Sequence, residues 1–259
     1  MRLYKALLTN NDCYLRGRTI RPRGVMVHST GANNPWLRRY IAPDDGRLGT
    51  PSPRHWNQGG VGACVHAMIG KLADGTIAVY QTLPWNMRGW HCGRIGNDTH
   101  ISFEICEDGL TDEGYFRATY QAAVELTAYL CQLYHLDPKA DGVVLCHSEG
   151  YQRGIASNHA DVMHWWKKFG VDMDDFRAAV AAALKGGERD LTEQEVRAIV
   201  REEIAALQLQ RAELPPSDWA RDQLAAAVAA GITDGKRPRS FATREEVAIM
   251  VSKAMEGRG

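Results

Sequence analysis

The chain has 259 residues, 44% hydrophobic and 24% charged, and its 31 basic and 31 acidic side chains cancel at neutral pH. This is the ordinary globular range, and the cancelled charge gives no overall electrostatic case for a nucleic-acid partner. No run has the apolar length of a membrane span, so no membrane insertion is expected, and six cysteines without a CxxC pair read as small core hydrophobes rather than a disulfide scaffold or zinc knuckle.

The first eighteen residues carry no uninterrupted apolar segment and no small-residue cleavage site. They do not read as a signal peptide, so the product is expected to accumulate in the cytoplasm. Short β-like runs follow at Gly24 to His28, Cys64 to Ile69, Thr76 to Tyr80, Ile101 to Cys106 and Gly142 to Cys146, each bounded by turn-forming residues. Ala73-Asp74-Gly75 is a hairpin turn between the second and third, since Asp-Gly tolerates positive φ. A long helix is predicted from Asp112 to Leu136, with Leu126, Tyr129, Leu130 and Leu133 at helical spacing toward a sheet, and a final one from Asp172 to Leu184. Strands with helices packed on them make an α/β or α+β domain over residues 1–186.

Composition then changes. Residues 187–214 read as a helical linker, with Thr192 and Glu195 at capping-box spacing and a stop at Leu214-Pro215-Pro216. Residues 215–259 read as a small all-α unit with a turn at Gly231-Ile232.

His28 and His147 each follow an apolar run, so both rings are expected to emerge at strand ends, where a neutral nitrogen can be aimed into a cleft. Two such ends in one sheet supply two of the three protein ligands of a catalytic zinc. The loop after His147 offers Asp161 or His159 as the third, although Asp161 can also be read as a helix cap before Val162-Met163-His164. Glu104 alternates with Phe103 and Ile105, so it occupies the opposite face of its strand. His66 sits among apolar neighbours as a packed residue, and His55, His100, His135 and His164 read as structural or solvated.

Met26-Val27-His28-Ser29-Thr30, Val65 to Ile69 with Asp74-Gly75, Gly89-Trp90-His91-Cys92-Gly93, Ile101 to Ile105 and Cys146-His147-Ser148-Glu149 occur in one order. On these segments, over roughly residues 20 to 170, the chain resembles the type-2 N-acetylmuramoyl-L-alanine amidases, which include phage endolysins and peptidoglycan recognition proteins. The resemblance implies a central mixed β-sheet flanked by helices and zinc (Zn2+) on His28, His147 and Asp161. It also implies Glu104 as catalytic base, His159 as the basic residue two positions before the third ligand, and substrate contacts from Trp90 and His91. Val65 stands where some members carry an active-site tyrosine, and Val162 replaces the usual proline after the third ligand. The implied reaction is hydrolysis of the bond between N-acetylmuramic acid and L-alanine in bacterial peptidoglycan, in a phage or prophage endolysin. A host recycling or autolytic amidase and a catalytically lapsed peptidoglycan-binding protein are the alternatives. Trp36, Trp56, Trp90, Tyr80 and His91 offer flat surfaces suited to sugar and peptide, or to a core. A cysteine hydrolase is disfavoured, because adjacent Cys146 and His147 on a strand would face opposite ways.

Trp219-Ala220, Gly231-Ile232-Thr233-Asp234-Gly235 and Phe241-Ala242-Thr243-Arg244-Glu245-Glu246 resemble a single S-layer-homology motif. That resemblance implies a secondary cell-wall polymer as a partner, with assembly into a homo-oligomer as the alternative.

Overall fold

The computed structural model describes residues 1–187, 212 and 214–256. The chain divides into two compact units, Met1–Glu188 and Arg189–Gly259.

The first unit is built on six strands: β1 (Leu3–Lys5), β2 (Gly24–Asn33), β3 (Ala67–Lys71), β4 (Ile77–Gln81), β5 (His100–Glu107) and β6 (Val144–Cys146). They form one sheet in the order β1-β4-β3-β5-β2-β6, antiparallel only at β3–β4. The antiparallel pair is joined where Asp-Gly was expected to turn, with Gly75 at φ +83° and Asp74 Oδ1 accepting from the Thr76 N–H at 2.9 Å. Cys64 and Val65 lie outside β3; Cys64 makes an isolated bridge to Trp90 instead.

Period-two alternation sorts the central strands onto two faces. Val25, Val27, Ile101, Phe103 and Ile105 enter a core with α2 (Glu113–Tyr134), α5 (Met173–Gly187) and the fully buried Trp165 and Trp166. The side chains between them, Met26, His28, Ser102, Glu104 and Cys106, point the other way. Near β3 and β4 that second face is covered by the loop residues Leu37, Tyr40, Ile41 and Leu48.

Helix α2 starts at Asp112, whose carboxylate accepts from the Tyr115 N–H at 3.0 Å, and stops at His135, which adopts φ +54°. Leu126 and Leu130 are fully buried and Tyr129 half-buried, but Leu133 is 45% exposed. At roughly 100° per residue it lies at the edge of the buried stripe, in the last turn. Three short helices complete the unit: α1 (Asp12–Arg16), α3 (His147–Gln152) and α4 (Met163–Trp166).

In the second unit α6 (Arg221–Ala229) and α7 (Arg244–Glu256) flank a turn at Gly231, φ +69°. Thr243 and Glu246 form a reciprocal cap at the start of α7: Thr243 Oγ1 accepts from the Glu246 N–H, and Glu246 Oε2 from the Thr243 N–H. The Leu191 to Gln210 helix and its Thr192–Glu195 cap lie outside the described residues.

Candidate metal centre and active site

Three side chains named from the sequence converge on one point. His28 Nδ1 lies 3.0 Å from Asp161 Oδ2 and 3.0 Å from His147 Nδ1, and His147 Nδ1 lies 3.6 Å from the same carboxylate oxygen. A tetrahedral zinc with bonds of about 2.0 Å has ligand edges of roughly 3.3 Å, so the triangle is the right size. Two imidazole nitrogens and one carboxylate also form the donor set of an open catalytic zinc site. Both histidines are buried, at 1% and 4% exposure, which excludes the solvated role open to a lone surface histidine.

The elements presenting them differ in two respects from expectation. His28 sits within the ten-residue β2 rather than at its end. His147 is the first residue of α3, not part of a loop after β6. The reversal after Cys146 is made by Glu149, which accepts from the Cys146 N–H at 3.2 Å. Arg177 of α5 grips Glu149 through two contacts of 3.0 Å and donates to the Val144 carbonyl at 2.8 Å, which fixes the start of α3 against β6. Asp161 does not cap a helix, because α4 begins after Val162 without a side-chain cap. Its carboxylate is free for the centre.

Burial alone would raise the Asp161 carboxyl, but hydrogen bonds and charge from His147 and His28 outweigh it and hold the group well below the usual carboxylate range. His28 is lowered, mainly by burial and against the pull of Asp161, so it stays neutral with a lone pair available. Glu104 stands directly across from His28 in the β2–β5 register. Its Oε2 is sealed from solvent without a hydrogen-bond partner, and burial, then the charges of Asp161 and Glu107, push its carboxyl well up. A dication among the three ligands would act against that rise.

Behind the ligands lie further polar contacts. His28 Nε2 is 2.9 Å from His91 Nδ1. His147 Nε2 is 3.2 Å from Ser157 Oγ, which is 3.1 Å from His159 Nδ1. With both ligand Nδ1 atoms kept free for a metal, each Nε2 carries the hydrogen, and the donations run His28 to His91 and His147 to Ser157 to His159. His159, exposed at the rim, then presents its Nε2–H outward while neutral.

These groups line a cavity of about 360 Å³, with Thr30, Gly31, Ala160 and His164 around it. His164 was read from sequence as structural or solvated. It lies at the cavity rim, paired at 3.0 Å with Glu107, a nearly buried carboxylate that sequence reasoning did not single out. No local pattern marked it, because Asp161 precedes α4 and helical spacing does not link the two residues.

The other aromatic side chains, open between substrate surface and core in the sequence, lie outside the cavity. Trp90 bridges Cys64 and packs beside Leu8, Cys13 and Leu83, away from the cavity. Tyr80 is fully buried and donates to Asp45, Trp56 packs edge-on against Tyr40, and Trp36 lies under Arg38. Among the described residues, the rings that line the cavity are all imidazoles. His66 is fully buried on two backbone groups, donating to the Met87 carbonyl at 2.7 Å and accepting from the Ser102 N–H at 3.0 Å. All six cysteines are buried and free; Cys146 belongs to the core under α2, on a different side from His147.

The model of the family described as N-acetylmuramoyl-L-alanine amidase matches residues 18–164, more than half of the chain and every side chain of the cavity. Among solved structures, the chain is similar to the Staphylococcus aureus hydrolase AmiA in complex with its ligand. The identity is 19%, the match covers 73% of this chain and 86% of that one, and the TM-score is 0.54. The PlyG catalytic domain matches at 18% identity over 71% and 96% of the two chains, TM-score 0.49. A mutant endolysin from Bacillus subtilis matches at 20% over 70% and 99%, TM-score 0.45. The AmiA likeness supports the mixed α/β fold. No curated protein matches the chain.

Proposed function

Because the chain belongs to the N-acetylmuramoyl-L-alanine amidase family, we propose that it hydrolyses the bond between N-acetylmuramic acid and L-alanine of peptidoglycan as a zinc enzyme, in the lytic setting of a phage or prophage endolysin. The observation that carries this reading is the triangle of His28, His147 and Asp161 with Glu104 in register beside it.

An amide resists hydrolysis because water is a weak nucleophile and the tetrahedral intermediate carries an unfavourable oxyanion. His28, His147 and Asp161 would hold a zinc ion, which would supply Lewis acidity at the scissile carbonyl and a water activated near neutral pH. Glu104 Oε2, unpartnered and shielded, takes the proton of the attacking water and returns it to the leaving L-alanine nitrogen. The His159 Nε2–H at the rim donates to the developing oxyanion, and the Ser157 bond sets the tautomer that makes it a donor. His91 also lines the cavity, with its Nε2 buried and unpartnered.

The C-terminal unit supplies none of these groups. We assign it to wall attachment through a secondary cell-wall polymer, with self-assembly as the competing role. The decisive assay is digestion of purified peptidoglycan: new L-alanine amino groups support the assignment, whereas new reducing sugars without them overturn it.

A further inference from the structure

We propose that His91 is the positioning residue of the metal centre, holding the His28 ring by accepting its Nε2–H so that Nδ1 faces the metal. The proposal rests on the zinc reading above and assigns His91 a role before any substrate arrives.

His28 is a buried strand residue, and nothing in β2 itself decides which ring nitrogen faces Asp161. The 2.9 Å contact from His28 Nε2 to His91 Nδ1 holds the ring in the orientation that turns Nδ1 toward Asp161. When the Nδ1 lone pair goes to a metal beside His147 and Asp161, Nε2 carries the hydrogen and His91 Nδ1 is the acceptor within reach of it. The two rings meet edge-on, with centroids 5.1 Å apart and planes at 72°.

His91 is itself held from several sides. Its backbone N–H donates to Asn97 Oδ1 at 2.9 Å, and the next N–H, of Cys92, donates to the same oxygen at 3.0 Å. Its ring fits because residue 89 is glycine: a Cβ there would stand 3.1 Å from carbons of both His91 and His66. His66 is locked on Met87 and Ser102, so the ring behind His91 cannot yield. The two ligand histidines are thus oriented differently. His147 relies on the small hydroxyl of Ser157 in a loop, and His28 on a ring wedged by its neighbours.

The test measures zinc affinity by chelator competition and the visible spectrum of the cobalt(II)-substituted full chain, both without substrate. His91→Phe keeps a ring but removes the acceptor, and should weaken zinc by roughly 10- to 100-fold with an altered cobalt spectrum. His91→Asn places a carbonyl oxygen near the lost Nδ1 and should restore affinity to within about threefold. Gly89→Ala, which touches no ligand, should weaken zinc by displacing the His91 ring; with His91→Asn it decides the matter if His91→Phe does not fold. Unchanged zinc affinity and cobalt spectrum in a folded His91→Phe protein would overturn the proposal while leaving the amidase reading intact. A wild-type chain that binds no zinc would overturn the zinc reading and this proposal with it.

Discussion

Acidification should destabilise the catalytic unit through His66, a residue with no part in the chemistry. Its ring is fixed as the neutral Nε2–H form by a donation to Met87 and an acceptance from the Ser102 N–H. A second proton would aim two N–H groups at each other inside the core. Burial accordingly lowers His66 from the ordinary 6.5 to about 4. Since the folded value is depressed, the stabilisation is complete above 6.5 and is lost as pH falls toward 4, while the unfolded chain takes up the proton first. The whole interval is worth about 3 kcal/mol, of which about 2 kcal/mol is gone by pH 5. Urea unfolding of the chelated protein between pH 7.5 and 5, followed by near-ultraviolet circular dichroism of the buried Trp165 and Trp166, measures it. His66→Gln should be less stable at pH 7.5 but lose about 2 kcal/mol less on going to pH 5, because an amide does not titrate. Parallel stability-against-pH curves for wild type and His66→Gln would refute the reasoning.

Three further outcomes are expected. His147→Ala should lose zinc and hydrolysis together, whereas His135→Asn, which keeps a residue tolerant of the left-handed cap at that position, should keep both, as metal content per chain will show. Glu104→Gln preserves shape but cannot take a proton, so zinc should remain at wild-type stoichiometry while turnover falls by roughly 10²-fold or more. Truncation before Leu191 should leave a folded, zinc-loaded enzyme active on soluble muropeptides and slower on intact walls; an unchanged rate on walls with a shift from oligomer to monomer would mark the C-terminal unit as an assembly module.

Much of this molecule is legible in the sequence because the central strands alternate without compromise. Val25, Val27, Phe103 and Ile105 declare one face, which places His28 and Glu104 on the other before any coordinates exist. What was missed lacks a local signature. β1 is three residues long with a mostly exposed pattern, and it becomes a strand only by pairing with β4. The helix beginning at His147 depends on Arg177, far along the chain, gripping Glu149. The aromatic residues stayed open between substrate surface and core because sequence reports that a ring is large and flat, not which layer it enters: Tyr80 and Trp56 went to the loop-covered face. The His28–His91 and His164–Glu107 pairs join residues from separate segments, and no periodicity predicts them.

The register between β2 and β5 divides the centre into a rigid half and an adjustable one. His28 and Glu104 occupy paired positions on adjacent parallel strands, so the gap between their backbones is the roughly 4.8 Å spacing of any sheet. The chain between them can gain or lose loop residues, as between Asn34 and His66, without changing that gap. A one-residue slip of β2 would instead turn His28 into the opposite core. Asp161 and His159 hang from the stretch between α3 and α4, where no ladder fixes the length. Redesign of metal preference or substrate reach therefore has its freedom in residues 153–162, and almost none in the strands.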